Sequence, residues 1–253
     1  MNVGFLEEQI PRRKSIRQYD MSCEISAELI DELCDFLSEL TLPQTAIDWN
    51  FDTLPYNEMV GICATEPGVK APMYLVLRAE KNNFCLQNTG YLGEMAALWL
   101  CSRGIGTCWQ GGITVNEDFP DTLPYIASLA FGYPKEPFRT GAEEAKRKPL
   151  KKTTVGEFSG VKGLMAEAVR LAPSAMNRQP VNLMALEGKI NVFRNHVMLN
   201  NPIVSYVQCI DVGCALAHMQ VIADAHDAPF TYTRTDPAPA WGNKIYQTTI
   251  MFE

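Results

Sequence analysis

An α+β protein assembled from two unequal halves is what these 253 residues predict. Three observations lead there. Apolar residues recur at helical spacing within 26–40, 90–103, 161–171 and 207–225, while shorter apolar runs bounded by Pro and Gly lie between them. The order helix, strand, long helix, strand occurs once over 1–155 and again over 160–253. A chain of 253 residues is also long enough for a sizeable core, yet short of two average domains.

The elements follow in order. Leu29, Ile30, Leu33, Leu37 and Leu40 share one helical face, with Ser26 or Ser22 as N-cap. Residues 41–68 are rich in turn formers and yield no assignment; their irregular composition makes them a candidate substrate lid. Met73 to Arg78, following Pro72, reads as a buried strand. Gly90 to Arg103 reads as a helix with Leu92, Met95, Ala96, Trp99 and Leu100 inward, stopped by Gly104. A glycine-flanked loop, Gly104 to Gly112, precedes a strand over Ile126 to Phe131. Thr153 to Gly160 reads as a linker, after which Leu164, Met165, Ala168, Val169 and Leu171 form the face of another helix. Pro173 and Pro180 bracket a loop, because neither permits a helix to continue. Strands are expected near Val181–Leu186 and Lys189–Phe193. A long helix follows over Val207–Ala225, with Cys214, His218 and Met219 on turns of its surface. Thr231 to Arg234 and Ile245 to Phe252 read as edge strands.

The charge balance is 22 basic against 29 acidic residues, a formal net charge of −7, which argues against general binding to nucleic acid or anionic membranes. No run approaches 18 apolar residues, so no membrane span is expected. The eight cysteines are scattered without a CxxC pair, and no apolar stretch precedes the early basic cluster. Together these features read as reduced thiols in a soluble cytoplasmic protein. Three histidines far apart and no cysteine pair leave a metal centre little to build from.

Nine of the 22 basic residues fall in two windows: Arg12, Arg13, Lys14 and Arg17, then Lys146, Arg147, Lys148, Lys151 and Lys152. A charge run is commonly a solvated face. In an acidic protein such islands are also candidates for a small polyanion such as a phosphate. An extended backbone over 13–17 points Arg13, Ser15 and Arg17 the same way, a set suited to a phosphate with a neighbouring polyol. The Gly-x-Gly start at Gly104 fails as a dinucleotide-binding turn, since it follows a helix and Trp109 stands where the third Gly belongs. Cys108, Trp99 and Trp109 read as interior residues and His218 as a partly buried helix residue, and no catalytic side-chain nucleophile stands out.

Five motifs together resemble the FMN-dependent nitroreductase family. They are Arg13-x-Ser15-x-Arg17-x-Tyr19; Gly104 to Trp109 after a long helix; Gly132-Tyr-Pro134; Lys146 to Leu150; and Ala172-Pro173-Ser174-x-x-Asn177-x-Gln179-Pro180. The family's Pro-Ser loop follows its first basic motif closely. Here Leu42-Pro-Gln-Thr45 occupies that place without the Ser or Asn, and the full loop arrives after residue 170. The resemblance implies an α/β/α sandwich in which two family halves are fused into a pseudo-dimer. Residues 1–155 would supply the phosphate and ring-edge contacts, and 160–253 the closing loop. It implies FMN bound by Arg13, Lys14, Ser15, Arg17, Trp109, Gln110, Gly111, Arg147, Pro173, Ser174, Ala175, Asn177 and Gln179, one complete site and one degenerate. Arg13, Arg17 and Arg147 would take the phosphate and the N1/O2 edge. The backbone of Trp109, Gln110 and Gly111 would face N5. The implied activity is ping-pong hydride transfer from NAD(P)H to a nitroaromatic or quinone-like acceptor. The alternatives are a flavin-dependent dehalogenase or flavin reservoir, or a non-catalytic interaction protein with a dead site. A monomer is expected, with a homodimer the other option.

Overall fold

The computed structural model describes residues 1–253 apart from 81, 83, 117–122 and 198–200. A short helix, α1 (Gln9–Arg12), leads into α2 (Ala27–Ser38). The Ser26 hydroxyl caps α2 by accepting from the Leu29 N–H, and Leu33, Phe36 and Leu37 go into the core. The stretch 41–68 is not irregular throughout: it holds strand β1 (Trp49–Pro55) and helix α3 (Tyr56–Ile62). Strand β2 (Met73–Ala79), helix α4 (Cys85–Ser102), strand β3 (Gly106–Gln110) and strand β4 (Tyr125–Gly132) follow. The four strands form one antiparallel sheet in the order β1-β2-β4-β3. The segment expected as a loop after α4 is therefore largely a strand, with Cys108 opposite Ala130 and Trp109 opposite Leu129.

The remaining elements are β5 (Thr154–Val155), α5 (Gly160–Leu171), β6 (Val181–Leu186), β7 (Lys189–Arg194), α6 (Pro202–Ala225), β8 (Phe230–Thr233) and β9 (Ile245–Phe252). Their strands form a second sheet in the order β5-β6-β7-β9-β8, antiparallel except between β5 and β6. Two expectations are corrected here. The linker begins with a strand that pairs with β6, and of the two tail strands only β8 is an edge, since β9 lies between β7 and β8.

Between the sheets run α4 and α6. Their backbones meet where glycine leaves room: a Cβ on Gly90 would stand 2.0 Å from Ile210 O, and one on Gly213 would stand 2.0 Å from Gln87 O. Around this crossing Leu75, Leu77, Leu129 and Phe131 of the first sheet and Leu183, Ile190, Val192 and Ile250 of the second join one apolar core. The opposite face of the first sheet, with Tyr74, Val76 and Ala130, packs on Ile16, Tyr19 and Met59. Helix α6 is long and apolar enough by length and composition to cross a membrane, although polar residues interrupt it and no unbroken apolar run marks it. Its apolar stretch is mostly buried inside the fold. Cys214, His218 and Met219 are interior residues of that helix rather than surface ones. The N-terminus also reaches across to α6, where Val3 N–H donates to Asp224 Oδ2 at 2.8 Å.

Candidate functional site

The first basic motif runs as an extended strand fragment beside β3. Ser15 bridges Thr107 in parallel, and Ile16 N–H donates to Thr107 O at 2.8 Å. Ile16 is wholly buried against Gly106, where a Cβ would meet it at 2.8 Å. Burying Ile16 on one side turns Ser15 and Arg17 to the other, where both line the same two cavities.

One cavity, of about 600 Å³, is strongly basic. Arg13, Lys14, Arg17, Arg139, Lys146 and Arg147 line it against two carboxylates, Glu136 and Glu144. Lys14 pairs with Glu136 at 3.0 Å. Arg139 Nη1 donates to Arg13 O at 2.7 Å. Burial, with the neighbouring guanidinium groups of Arg139 and Arg13, pushes Arg147 down to about 10, so it stays charged at neutral pH. Cations crowded in this way favour an anion.

Arg13 is only 2% exposed, and its Nε lies 3.1 Å from Glu94 Oε1, an ion pair without hydrogen-bond alignment. Its Nη2 is buried with no hydrogen-bond partner among the described residues. Glu94, itself fully buried on α4, also reaches His218 Nε2 at 2.9 Å and accepts from Trp109 Nε1 at 3.3 Å. His218 Nδ1 stands 2.8 Å from Ala168 O. A carbonyl only accepts, so His218 Nδ1 is the donor in that contact. One carboxylate thus ties the basic motif, β3 and α6 together.

The adjoining cavity, about 260 Å³, shares Ser15, Arg17, Pro173, Ser174 and Met176 with the basic one. Its remaining walls are Cys108, Trp109, Gln110 and Gly111 from the end of β3, Ala127, Ala175, and Val207, Ile210, Asp211 and Cys214 from α6. Burial pushes the Cys108 thiol up, so it is no nucleophile at neutral pH. Gln110 is occupied, accepting from Val69 N–H and donating to Cys108 O. A Cβ on Gly111 would meet nothing within 4 Å. None of residues 41–68 lines either cavity, and β1 lies at the sheet edge opposite β3, so the structure does not use this stretch as a lid over them.

The loop 172–180 is held in an unusual conformation. Met176, Asn177 and Gln179 have φ of 53°, 54° and 51°, a left-handed region costly for side-chain-bearing residues. What over-determines it is a set of hydrogen bonds. Arg147 donates to Asn177 Oδ1 at 2.9 Å and to Leu171 O at 3.1 Å, and Lys148 Nζ donates to Arg178 O at 2.6 Å. Ser174 Oγ accepts from Gln179 N–H at 2.8 Å, and Asp211 Oδ1 accepts from Ala175 N–H at 2.9 Å. The result leaves Met176 85% exposed above both cavities.

The structure thus brings Arg13, Lys14, Ser15, Arg17, Arg147, Pro173, Ser174 and Asn177 to the basic cavity, and Trp109, Gln110, Gly111 and Ala175 to the apolar one. Gln179 lines neither; its amide binds Lys148 N–H and Asn177 inside the loop. Arg147 spends Nη1 and Nη2 on Asn177 of the loop, Leu171 at the end of α5 and the neighbouring Lys146 carbonyl, although its Nε remains without a partner among the described residues. Sequence reasoning missed Arg139, Glu94, Met176 and the α6 face with Asp211, and had Lys146 only as a member of the second basic island. Glu94 and Asp211 carried a signal: Glu94 is the one carboxylate of α4, and Asp211 stands in the middle of α6 among apolar residues, far from the helix's other carboxylate, Asp224.

Residues 6–223 match the protein family described as "Putative TM nitroreductase". A solved structure from Thermotoga maritima, described as a "putative nitroreductase", is similar with a TM-score of 0.63 at 21% identity, over 100% of this chain and 93% of that one. At that identity the likeness is one of fold. Two other structures are similar over 57% of this chain, each at 19% identity. The "Putative NADH Oxidase" of Clostridium acetobutylicum has a TM-score of 0.46 and is covered over 96% of its length. The "FMN-dependent Nitroreductase" of Clostridium difficile has a TM-score of 0.42 and 94% coverage. No curated protein matches this chain.

Proposed function

The chain belongs to the nitroreductase family, and from that premise we propose that it is an FMN-dependent oxidoreductase passing hydride from NAD(P)H to a nitroaromatic or quinone-like acceptor. The observation that carries the proposal is the pairing of cavities: a basic one with an unsatisfied buried guanidinium opens beside an apolar one of about 260 Å³. FMN has the same two-part chemistry, a phosphate dianion on a polyol joined to a flat ring. Arg13 Nη2, buried and without a partner among the described residues, is the donor such a phosphate would satisfy. Open space over Gly111 lets backbone approach a ring closely.

Bound FMN would supply the hydride-carrying ring. The chain's residues do the rest. Arg13, Lys14 and Arg17, with Arg139 and Lys146, neutralise the phosphate, and Ser15 faces the polyol. Trp109, Gln110 and Gly111 form the wall beside the ring, and Pro173, Ser174 and Ala175 close over it with Met176. Arg147 and Asn177 hold that loop in place, with Gln179 as its internal brace. Val207, Ile210 and Cys214 of α6 would keep water from that side, so that a hydride donor and then an acceptor would be received in turn at one surface, the ping-pong order, with no side-chain nucleophile needed.

We read the chain further as two fused halves, cytoplasmic and monomeric. Two pairings support the fusion. Gly90 and Gly213 oppose each other at the helix crossing, and Asn88 Oδ1 accepts from Gln44 N–H at 3.1 Å much as Asp211 accepts from Ala175 N–H. The loop after α2 thus stands to α4 as the loop after α5 stands to α6, but it lacks the Ser and Asn of its counterpart.

Titrating the purified chain with FMN and following flavin fluorescence tests the reading. Saturable quenching in the micromolar range is expected, and bleaching by NADH or NADPH without oxygen then separates a reductase from a flavin reservoir. A chain that leaves FMN fluorescence unchanged overturns the assignment.

A further inference from the structure

Among the described residues Asp211 is the one carboxylate lining the apolar cavity, and it is 5% exposed. Its Oδ1 is engaged by the Ala175 N–H at 2.9 Å, while Oδ2 is buried with no partner among the described residues. An orphaned carboxyl oxygen in an apolar wall is costly unless it holds a proton or meets a donor. We propose that Asp211 is the redox-linked proton carrier of this site: it takes up one proton from solvent when the flavin in the cavity is reduced and releases it on reoxidation. The inference rests on the FMN reading given above.

The argument is one of charge in a low-dielectric wall. Burial alone pushes Asp211 up to about 7, opposed only by the Ala175 N–H, so near neutrality the carboxyl is poised between its two forms. Other groups facing it do not exchange a proton there. Cys108 and Cys214 line the same cavity, and burial keeps both thiols protonated. Cys209, two residues earlier on α6, is likewise pushed up by burial. Arg17 stands across the cavity, and Lys148 and Arg170 line the small void behind the loop; burial lowers Lys148, and the hydrogen-bonded Glu167 raises Arg170. Two-electron reduction with one proton leaves a negative charge on the ring. A carboxylate in the same apolar wall repels that charge, so reduction draws a second proton onto Oδ2. Electrons from the nicotinamide or an electrode go to the flavin, and the second proton goes to Asp211.

The test is spectroelectrochemical titration of the FMN-loaded full chain between pH 6 and 9, in wild type and Asp211→Asn. One proton per two electrons lowers the midpoint by about 30 mV per pH unit, and two protons by about 60 mV. Wild type is expected to follow the steeper slope just above pH 7 and Asp211→Asn the shallower one throughout. Equal slopes overturn the proposal. Indicator-dye measurement of proton uptake when the wild type is reduced at an electrode at pH 8 gives a second reading that needs no variant: two protons per flavin support it, and one overturns it. A wild type that binds no FMN fails earlier and overturns the cofactor reading itself.

Discussion

Glu94 holds side chains from three parts of the chain: the buried Arg13 at 3.1 Å and His218 at 2.9 Å, and the partly buried Trp109 at 3.3 Å. Removing one partner of a buried charge pair costs about 3–5 kcal/mol, so Glu94→Ala should lower urea stability by that order. Arg17 is the contrasting residue, exposed at the junction of the two cavities. Arg17→Ala should weaken FMN binding about tenfold or more while leaving the Tm near wild type, since a charged hydrogen bond contributes about 1.5–3 kcal/mol. Asp211 gives a pH signature in stability as well. Its native value is raised from 3.8 to about 7, so between those values the folded protein keeps a proton the unfolded chain has released. Stability therefore falls as pH rises through this window, by at most about 4 kcal/mol from this one group. Asp211→Asn should match wild type near pH 4 and exceed it at pH 8, as thermal melts at the two pH values will read.

At the scale of elements, the crossing of α4 and α6 depends on two missing side chains. Gly213→Ala would place a Cβ 2.0 Å from Gln87 O, and overpacking of this kind costs about 1–3 kcal/mol or more, with a matching fall in Tm. Helices α2, α4, α5 and α6 and strands β2, β4, β6 and β7 were legible because apolar spacing and flanking Pro or Gly mark them locally, whereas the short α1 and α3 were not. Strand β3 was not. It is five residues long, comes directly after a helix-ending glycine, and owes its extended form to pairing with β4, a non-local partner. Strand β1 was hidden in the same way, as an edge strand ending in Pro55 without clean alternation. The loop 172–180 was recognisable as a loop from its prolines. Its three left-handed residues were not, because Met and Gln carry no local preference for that conformation and only the Arg147, Lys148 and Asp211 hydrogen bonds impose it.

At the scale of the molecule, the basic motifs sit near residues 13 and 147, the wall near 109, the loop near 175 and the orphaned carboxylate at 211. Local pattern identified most of these pieces. It carried nothing about α6 meeting the end of β3, which is why Asp211, Ile210 and Val207 escaped notice. The net charge of −7 likewise concealed six cations gathered around one cavity. The central claim is that a single chain assembles one complete FMN site between its halves. Native mass spectrometry of the FMN-saturated protein tests it most directly. The account predicts one chain carrying one FMN; two FMN per chain, or flavin bound only by a dimer, would contradict it.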